Sequence, residues 1–156
     1  MDHSQIVSAF RDNGKVSIKE GNGNVITLIK PELWTEEMGE NWVFLLFDLF
    51  QIRTLCKQFS EVSLDIVEYS SKPTIYHSPA NAISKHGPIK DGVLKFSLIL
   101  EPNWNKLLFQ ISQPVLVQIH AKEQAPFETK ILFPLLSPGC KELYLGPEGE
   151  VKIIKG

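Results

Sequence analysis

The sequence predicts a single α+β domain over residues 1–156: a curved, mainly antiparallel sheet, curling toward a barrel or sandwich, packed on one long helix centred on residues 40–58. Three observations predict it. Short apolar runs of period two recur between turn signals, in two blocks either side of the middle of the chain. One stretch, "PELWTEEMGENWVFLLFDLFQIRTLCKQF", instead places its apolar residues at helical spacing. The length of 156 residues suits one core, with no repeat, low-complexity segment or linker to divide it.

Each element has a local reason. Residues 3–12 place Ile6, Val7 and Phe10 on one helical face, and "DNG" stops the helix. "KVSIK" (15–19) and "NVITLIK" (24–30) alternate around "EGNG" and read as a β-hairpin. "GNGN" lacks the glycine spacing and the strand-to-helix context of a phosphate loop. In the long helical stretch Pro31 and Thr35 mark a start, with Glu36 and Glu37 in the first turn. Trp42, Leu45, Leu46, Leu49, Ile52, Cys56 and Phe59 form one apolar face, and Val43, Phe47 and Phe50 a second. So wide an arc fits a helix wedged into its own core, or one that gives its second stripe to another subunit.

After Ser60 the period becomes two: "VSLDIVEY" (62–69) reads as a strand and "TIYH" (74–77) as another. Residues 93–100, 106–112, 114–122 and 129–136 follow as strand-like runs, although "NWNKLLFQIS" also fits a short helix capped by Asn103. "ELYLG" and "EVKIIKG", parted by Pro147 to Gly149, predict a final hairpin.

Composition excludes several functions. Hydrophobic residues make up 43% and charged residues 22%, as in an ordinary globular domain. Net charge is −2 and the lysines and arginines are scattered, so no nucleic-acid partner is expected. "MDHSQIVSAF" lacks the pattern of a signal peptide. The most apolar run, "WVFLLFDLFQI", contains Asp48 and falls well short of the roughly 20 residues that span a bilayer. A cytoplasmic protein with no membrane partner is expected. Cys56 and Cys140 form no CxxC pair; Cys56 reads as buried and Cys140, after "SPG", as nearer the surface.

Candidate chemistry concentrates in "YHSPANAISKHGPIKDG" (76–92). His77 or His86 with Ser78 or Ser84, oriented by Asp91 or Asp65, would make a base and nucleophile. No G-x-S-x-G elbow surrounds either serine, and adjacent His77 and Ser78 diverge on an extended strand, so no catalytic residue is assigned. The four histidines, His3, His77, His86 and His120, show no helical zinc spacing, so no metal or other cofactor is expected. "KPTIYHSPANAIS" resembles the PT-x-T-V-Y-G-L-x-x-N-A run of threonylcarbamoyl-adenylate synthases. The similarity needs a gap, neither the lysine and glycine runs nor the later serine–asparagine motif follows, and the chain is short for that domain. It is read as coincidence and no residue role is carried over.

Two readings remain. The first is a non-enzymatic interaction module, an adaptor, assembly factor or regulator. Its binding loop would be Tyr76, His77, Asn81, Lys85 and His86, and its interface Trp42, Phe47 and Phe50 on the 40–58 helix, toward a protein partner or a second copy. The same loop also reads as a plain connector. The alternative is a small-molecule-binding or enzymatic domain whose pocket lies between helix and sheet near His77, His86 and His120. Convergence of those histidines on one cavity would favour the second.

Overall fold

The chain opens as its pattern requires. Helix α1 (His3–Asn13) buries Ile6, Val7 and Phe10 and ends where Gly14 turns with φ 73°. Strands β1 (Lys15–Lys19) and β2 (Val25–Ile29) pair antiparallel, and the turn between them uses Gly23 at φ 88°, its N–H donating to the Glu20 carbonyl at 2.9 Å. The computed structural model describes residues 3–21, 23–70, 72–82, 86–120, 125, 127–129, 135–136 and 140–156.

The expected 40–58 helix does not form. Residues 43–46 are instead strand β3 (Val43–Leu46), followed by a 3-10 turn (Leu49–Gln51) and one short turn of helix, α2 (Ile52–Leu55). Every residue of β3 is buried, because the strand lies inside the sheet and both faces are covered. A strand buried on both faces is apolar throughout, and over four residues that pattern cannot be told from a buried helix. Asp48 then breaks the run by accepting the Gln51 N–H at 3.1 Å.

Two further segments change type. Residues 61–68 form helix α3 (Glu61–Glu68), not a strand, with the Ser60 hydroxyl accepting the Ser63 N–H at 3.1 Å as N-cap. Helix α4 (Pro102–Ile111) replaces the expected strand over 106–112; its cap is the Glu101 carboxylate, which accepts the Trp104 N–H at 2.8 Å, rather than Asn103. Pro102 occupies the first turn, where its missing N–H costs nothing.

The remaining strands are β4 (Ile75–Pro79), β5 (Val93–Leu98), β6 (Val115–His120), β7 (Phe127–Glu128), β8 (Glu142–Leu145) and β9 (Val151–Lys155). They join one nine-stranded sheet in the order β7-β1-β2-β6-β3-β5-β4-β8-β9. The sheet is mixed: β1/β7, β3/β5 and β4/β8 run parallel and the other neighbours antiparallel, which corrects the mainly antiparallel expectation. None of these parallel pairs joins strands consecutive in the chain: α2, α3 and β4 intervene between β3 and β5, and several strands intervene between β1 and β7 and between β4 and β8. The 129–136 strand expected from sequence falls mostly outside the described residues.

Both faces of the sheet carry a core. Over β1, β2, β6 and β3, helices α1 and α4 bury Phe10, Val16, Leu45, Trp104, Leu107 and Val115. On the opposite face α2 and α3 cover β3, β5, β4 and β8, where Phe44, Leu46, Tyr76, Phe96, Leu116 and Leu143 meet Ile52, Leu55 and Val67. Each such side chain contributes about 1.5–3 kcal/mol on burial. The fold class is therefore α+β, with four α-helices among the described residues, two against each face. Among the described residues no helix is long and apolar enough to cross a membrane.

Candidate functional site

The 76–92 stretch is only partly a loop. Its first residues complete β4, and alternation along that strand decides their roles. Tyr76 and Ser78 point into the α2/α3 face. Tyr76 is 2% exposed and packs on Phe96 with ring centroids 5.3 Å apart. Burial pushes the Tyr76 phenol above its ordinary range of about 10, against hydrogen bonds from Ser70 and Thr74 that pull it down. The buried Ser78 hydroxyl donates to the Leu145 carbonyl at 2.8 Å. Asn81 fastens the chain to the end of α2: its N–H donates to the Leu55 carbonyl at 2.8 Å and its side-chain amide to the Arg53 carbonyl at 3.0 Å. Tyr76, Ser78 and Asn81 thus hold the fold together. Lys85 and Ser84 lie outside the described residues.

His77 faces the other way. Its Nε2 donates to Glu142 Oε1 at 2.8 Å, with both side chains about one-quarter exposed. Lys95 and Tyr144 stand directly opposite it on the flanking strands, and Lys152 Nζ lies 5.7 Å from the Tyr144 ring centre. His77 therefore belongs to a polar row across β5, β4, β8 and β9. His86 is exposed and its neighbour Gly87 presses on the opposite face: a Cβ at Gly87 would stand 2.7 Å from Phe44 Cζ and 3.5 Å from Leu116 Cδ1. The sheet separates His77 from the His86 segment. The backbone of His120 ends β6, three strands from β4. Among the described residues no group of three His, Cys, Asp or Glu side chains gathers as a metal site.

Of the three aromatic residues expected at an interface, two reach the surface. Trp42 is 4% exposed and part of the core, its indole N–H donating to the Met38 carbonyl at 3.4 Å. Phe47 is half-buried and meets Phe109 of α4 edge to face, centroids 5.5 Å apart. Phe50 is 75% exposed. The turn that presents it is braced from within: the Phe47 N–H donates to the buried Gln51 side chain at 2.6 Å, and Gln51 in turn donates its N–H to Asp48. The Asn105 amide ties the turn to α4, reaching the Phe47 carbonyl at 2.9 Å and the Ile99 carbonyl at 2.8 Å.

This end of the molecule carries apolar residues that the sequence reading missed. Phe109 is 63% exposed and Leu100 51%. Leu100 follows the carbonyl that Asn105 holds, and Phe109 lies one helical turn beyond Asn105. The signal lay in α4: Trp104, Leu107, Leu108 and Ile111 form its buried stripe and leave Phe109 off it. Exposed Arg53 and Lys106 supply positive charge in the same segments.

One titratable group was also missed. Glu20, at the end of β1, is 5% exposed, and neither carboxylate oxygen has a hydrogen-bond partner. Burial raises its pKa from 4.5 to about 7. The Leu135 backbone N–H pulls the other way but lies outside hydrogen-bonding geometry, so desolvation dominates. A glutamate in a hairpin turn reads as solvated, and nothing local in the sequence marks it otherwise. Cys56 and Cys140 are both buried, Cys140 contrary to expectation, and burial pushes the Cys56 thiol up to about 12, away from nucleophilic use.

No family model matches the chain, and no curated protein does. Among solved structures, the crystal structure of full-length HypF in its phosphate- and nucleotide-bound form is similar, with a TM-score of 0.70 and 14% sequence identity. The similarity covers 97% of this chain and 28% of the HypF chain, so this domain spans under a third of that protein's length. At this identity the likeness is one of fold.

Proposed function

We propose that this domain is a protein-interaction module whose docking surface is the apolar cap of Phe50, Phe109 and Leu100 around half-buried Phe47. The observation that carries the reading is Phe50, 75% exposed on a turn held by its own hydrogen bonds. A large aromatic side chain presented on a rigid support loses little entropy on binding, the property that makes aromatic residues dominant contacts at interfaces. Arg53 and Lys106 suit a partner with an apolar knob or helix flanked by acidic residues. The module acts as an adaptor, assembly factor or regulator rather than through a catalytic group of its own.

Site-specific photo-crosslinking tests this in the cells that make the protein. A crosslinker at position 50 should yield one adduct of fixed mass, absent from a crosslinker at exposed Asp12 and lost on Phe109→Ser. Phe50→Ser should change stability by less than about 0.5 kcal/mol, and Phe109→Ser, which also loses the edge-to-face contact with Phe47, by about 0.5–1.5 kcal/mol. Equal adducts at both positions, or none at position 50, would overturn the reading.

A second reading, a small-molecule-binding domain, draws support from the fold similarity to HypF, whose structure holds phosphate and nucleotide. A rise in melting temperature with either compound would favour it.

A further inference from the structure

The polar row on β5, β4, β8 and β9 lies on the sheet face that α1 and α4 cover elsewhere, just past the edge of their core. That edge is marked on β5. Ser97 is completely buried beside Leu45 of the core, and two residues before it Lys95 is only half-buried. From Lys95 the row runs through His77 and Tyr144 to Lys152, one residue per strand and about 4.8 Å per step. Alternation along each strand puts all four side chains on one face. Lys152 leans toward the middle of the row, its Nζ 5.7 Å from the centre of the Tyr144 ring.

The polar groups of the row are not used up among themselves. Among the described residues Lys95, Lys152 and Lys155 join no ion pair. The one carboxylate within the row, Glu142, is taken up by His77 at 2.8 Å and stands opposite Lys155. A carboxylate only accepts, so the His77 proton sits on Nε2 and Nδ1 is left as an acceptor. The buried Ser97 hydroxyl, on the same face at the inner end, has no hydrogen-bond partner. At the outer end the Glu150 carboxylate fills the space over Gly146, in the β8–β9 turn beyond Tyr144. A lysine held half-buried in a sheet without a counter-charge is costly unless a ligand supplies one.

We infer that this row binds a phosphate group, either the free ion or the head of a phosphate monoester. Lys95 and Lys152 donate to its oxygens from the two ends, with the Tyr144 hydroxyl donating between them. His77 Nδ1 accepts a P–O–H proton, which separates phosphate from fully ionised sulfate. Glu142 acts through His77, fixing the ring so that Nδ1 faces the ligand, and Lys155 offsets its charge. As a place for a small anion the row rests on the small-molecule reading, not on the apolar cap.

Titration calorimetry on the intact chain tests this with inorganic phosphate and glycerol phosphate, against sulfate at equal ionic strength. A pH of about 6.5 leaves part of either phosphate protonated. At least one phosphate should bind saturably at one site, and sulfate at least about tenfold more weakly; the tighter phosphate tells whether the free or the esterified group is the ligand. Lys95→Gln and Lys152→Gln should each weaken binding roughly tenfold, and His77→Gln should reduce the preference over sulfate. Lys15→Gln, at an exposed position on β1, should leave binding unchanged. Circular dichroism melts without phosphate verify that the variants fold. Absence of saturable binding by either phosphate overturns the inference, as does sulfate binding as tightly. Undiminished binding by Lys95→Gln and Lys152→Gln overturns it too, while leaving the small-molecule reading in place with its phosphate site elsewhere. Phe50→Ser should bind phosphate as the wild type does, so the result stands apart from the fate of the apolar cap.

Discussion

Replacing Glu20 by Gln should remove a pH dependence of stability that the wild-type chain carries between about pH 4.5 and pH 7. In the unfolded chain this carboxyl ionises near its ordinary 4.5; in the folded chain burial holds it protonated up to about 7. The stability tied to the neutral form is therefore complete below about 4.5 and is lost as pH rises through about 7, where the folded protein must also ionise it. A displacement from 4.5 to about 7 corresponds to about 3 kcal/mol at 1.36 kcal/mol per pH unit. Glutamine keeps the shape without the charge. At pH 8 Glu20→Gln should be more stable than wild type by about 3 kcal/mol, roughly 6–12 °C in melting temperature for a domain of this size. At pH 4.5 the two should agree closely. Urea titrations of both proteins at several pH values isolate the effect, since other carboxyl groups contribute equally to each. If the difference between them stays flat from pH 4.5 to 8, Glu20 is hydrated or paired in solution, and the desolvation argument fails.

Two pairs of substitutions examine the packing and capping assignments. Gly87→Ala places a methyl group 2.7 Å from the ring of buried Phe44 at a backbone φ of 97°. It should cost about 1–3 kcal/mol in chemical denaturation, whereas Gly23→Ala, with φ 88° but open space around it, should cost less. Glu101→Ala removes the carboxylate that caps α4 and should cost about 1 kcal/mol; Asn103→Ala, at the residue the sequence suggested as cap, should cost less.

The two hairpins and the first helix were legible because each has a strong local cause. Val16 and Ile18 against Ile26 and Leu28 alternate around a glycine turn, and Ile6, Val7 and Phe10 repeat at helical spacing. The middle of the chain was not legible, because there tertiary burial masks the period. Val43 to Leu46 are apolar on both sides since helices cover both faces of the sheet, and that uniform run joined the apolar residues of the next turn into an apparent long helix. In α3 the reverse happened. Ser63 takes a fully buried place where an apolar residue would have shown the helical stripe, while Val62, Leu64 and Ile66 alternate by accident. Ser60 was the available signal, a cap residue just before the run. The site divided similarly. Of the residues expected at an interface, Phe50 is exposed although the element bearing it was misassigned, while Trp42, one stripe away on the supposed helix, is core.

The position of β6 sets a timetable for synthesis. It alone joins the group β7-β1-β2 to the group β3-β5-β4, through pairs with β2 on one side and β3 on the other. Until residues 115–120 leave the ribosome, the β1–β2 hairpin has no strand on its open side, although all five residues of β2 are destined for burial. At about 5–20 residues per second, the interval from the end of β2 to the end of β6 is roughly 5–18 s. For that time the nascent chain displays an apolar strand edge to everything around it. Its yield in the cell should therefore depend on ribosome-associated chaperones more than the stability of the finished domain suggests, and slowing translation before residue 115 should lower the soluble fraction while leaving the folded product unchanged.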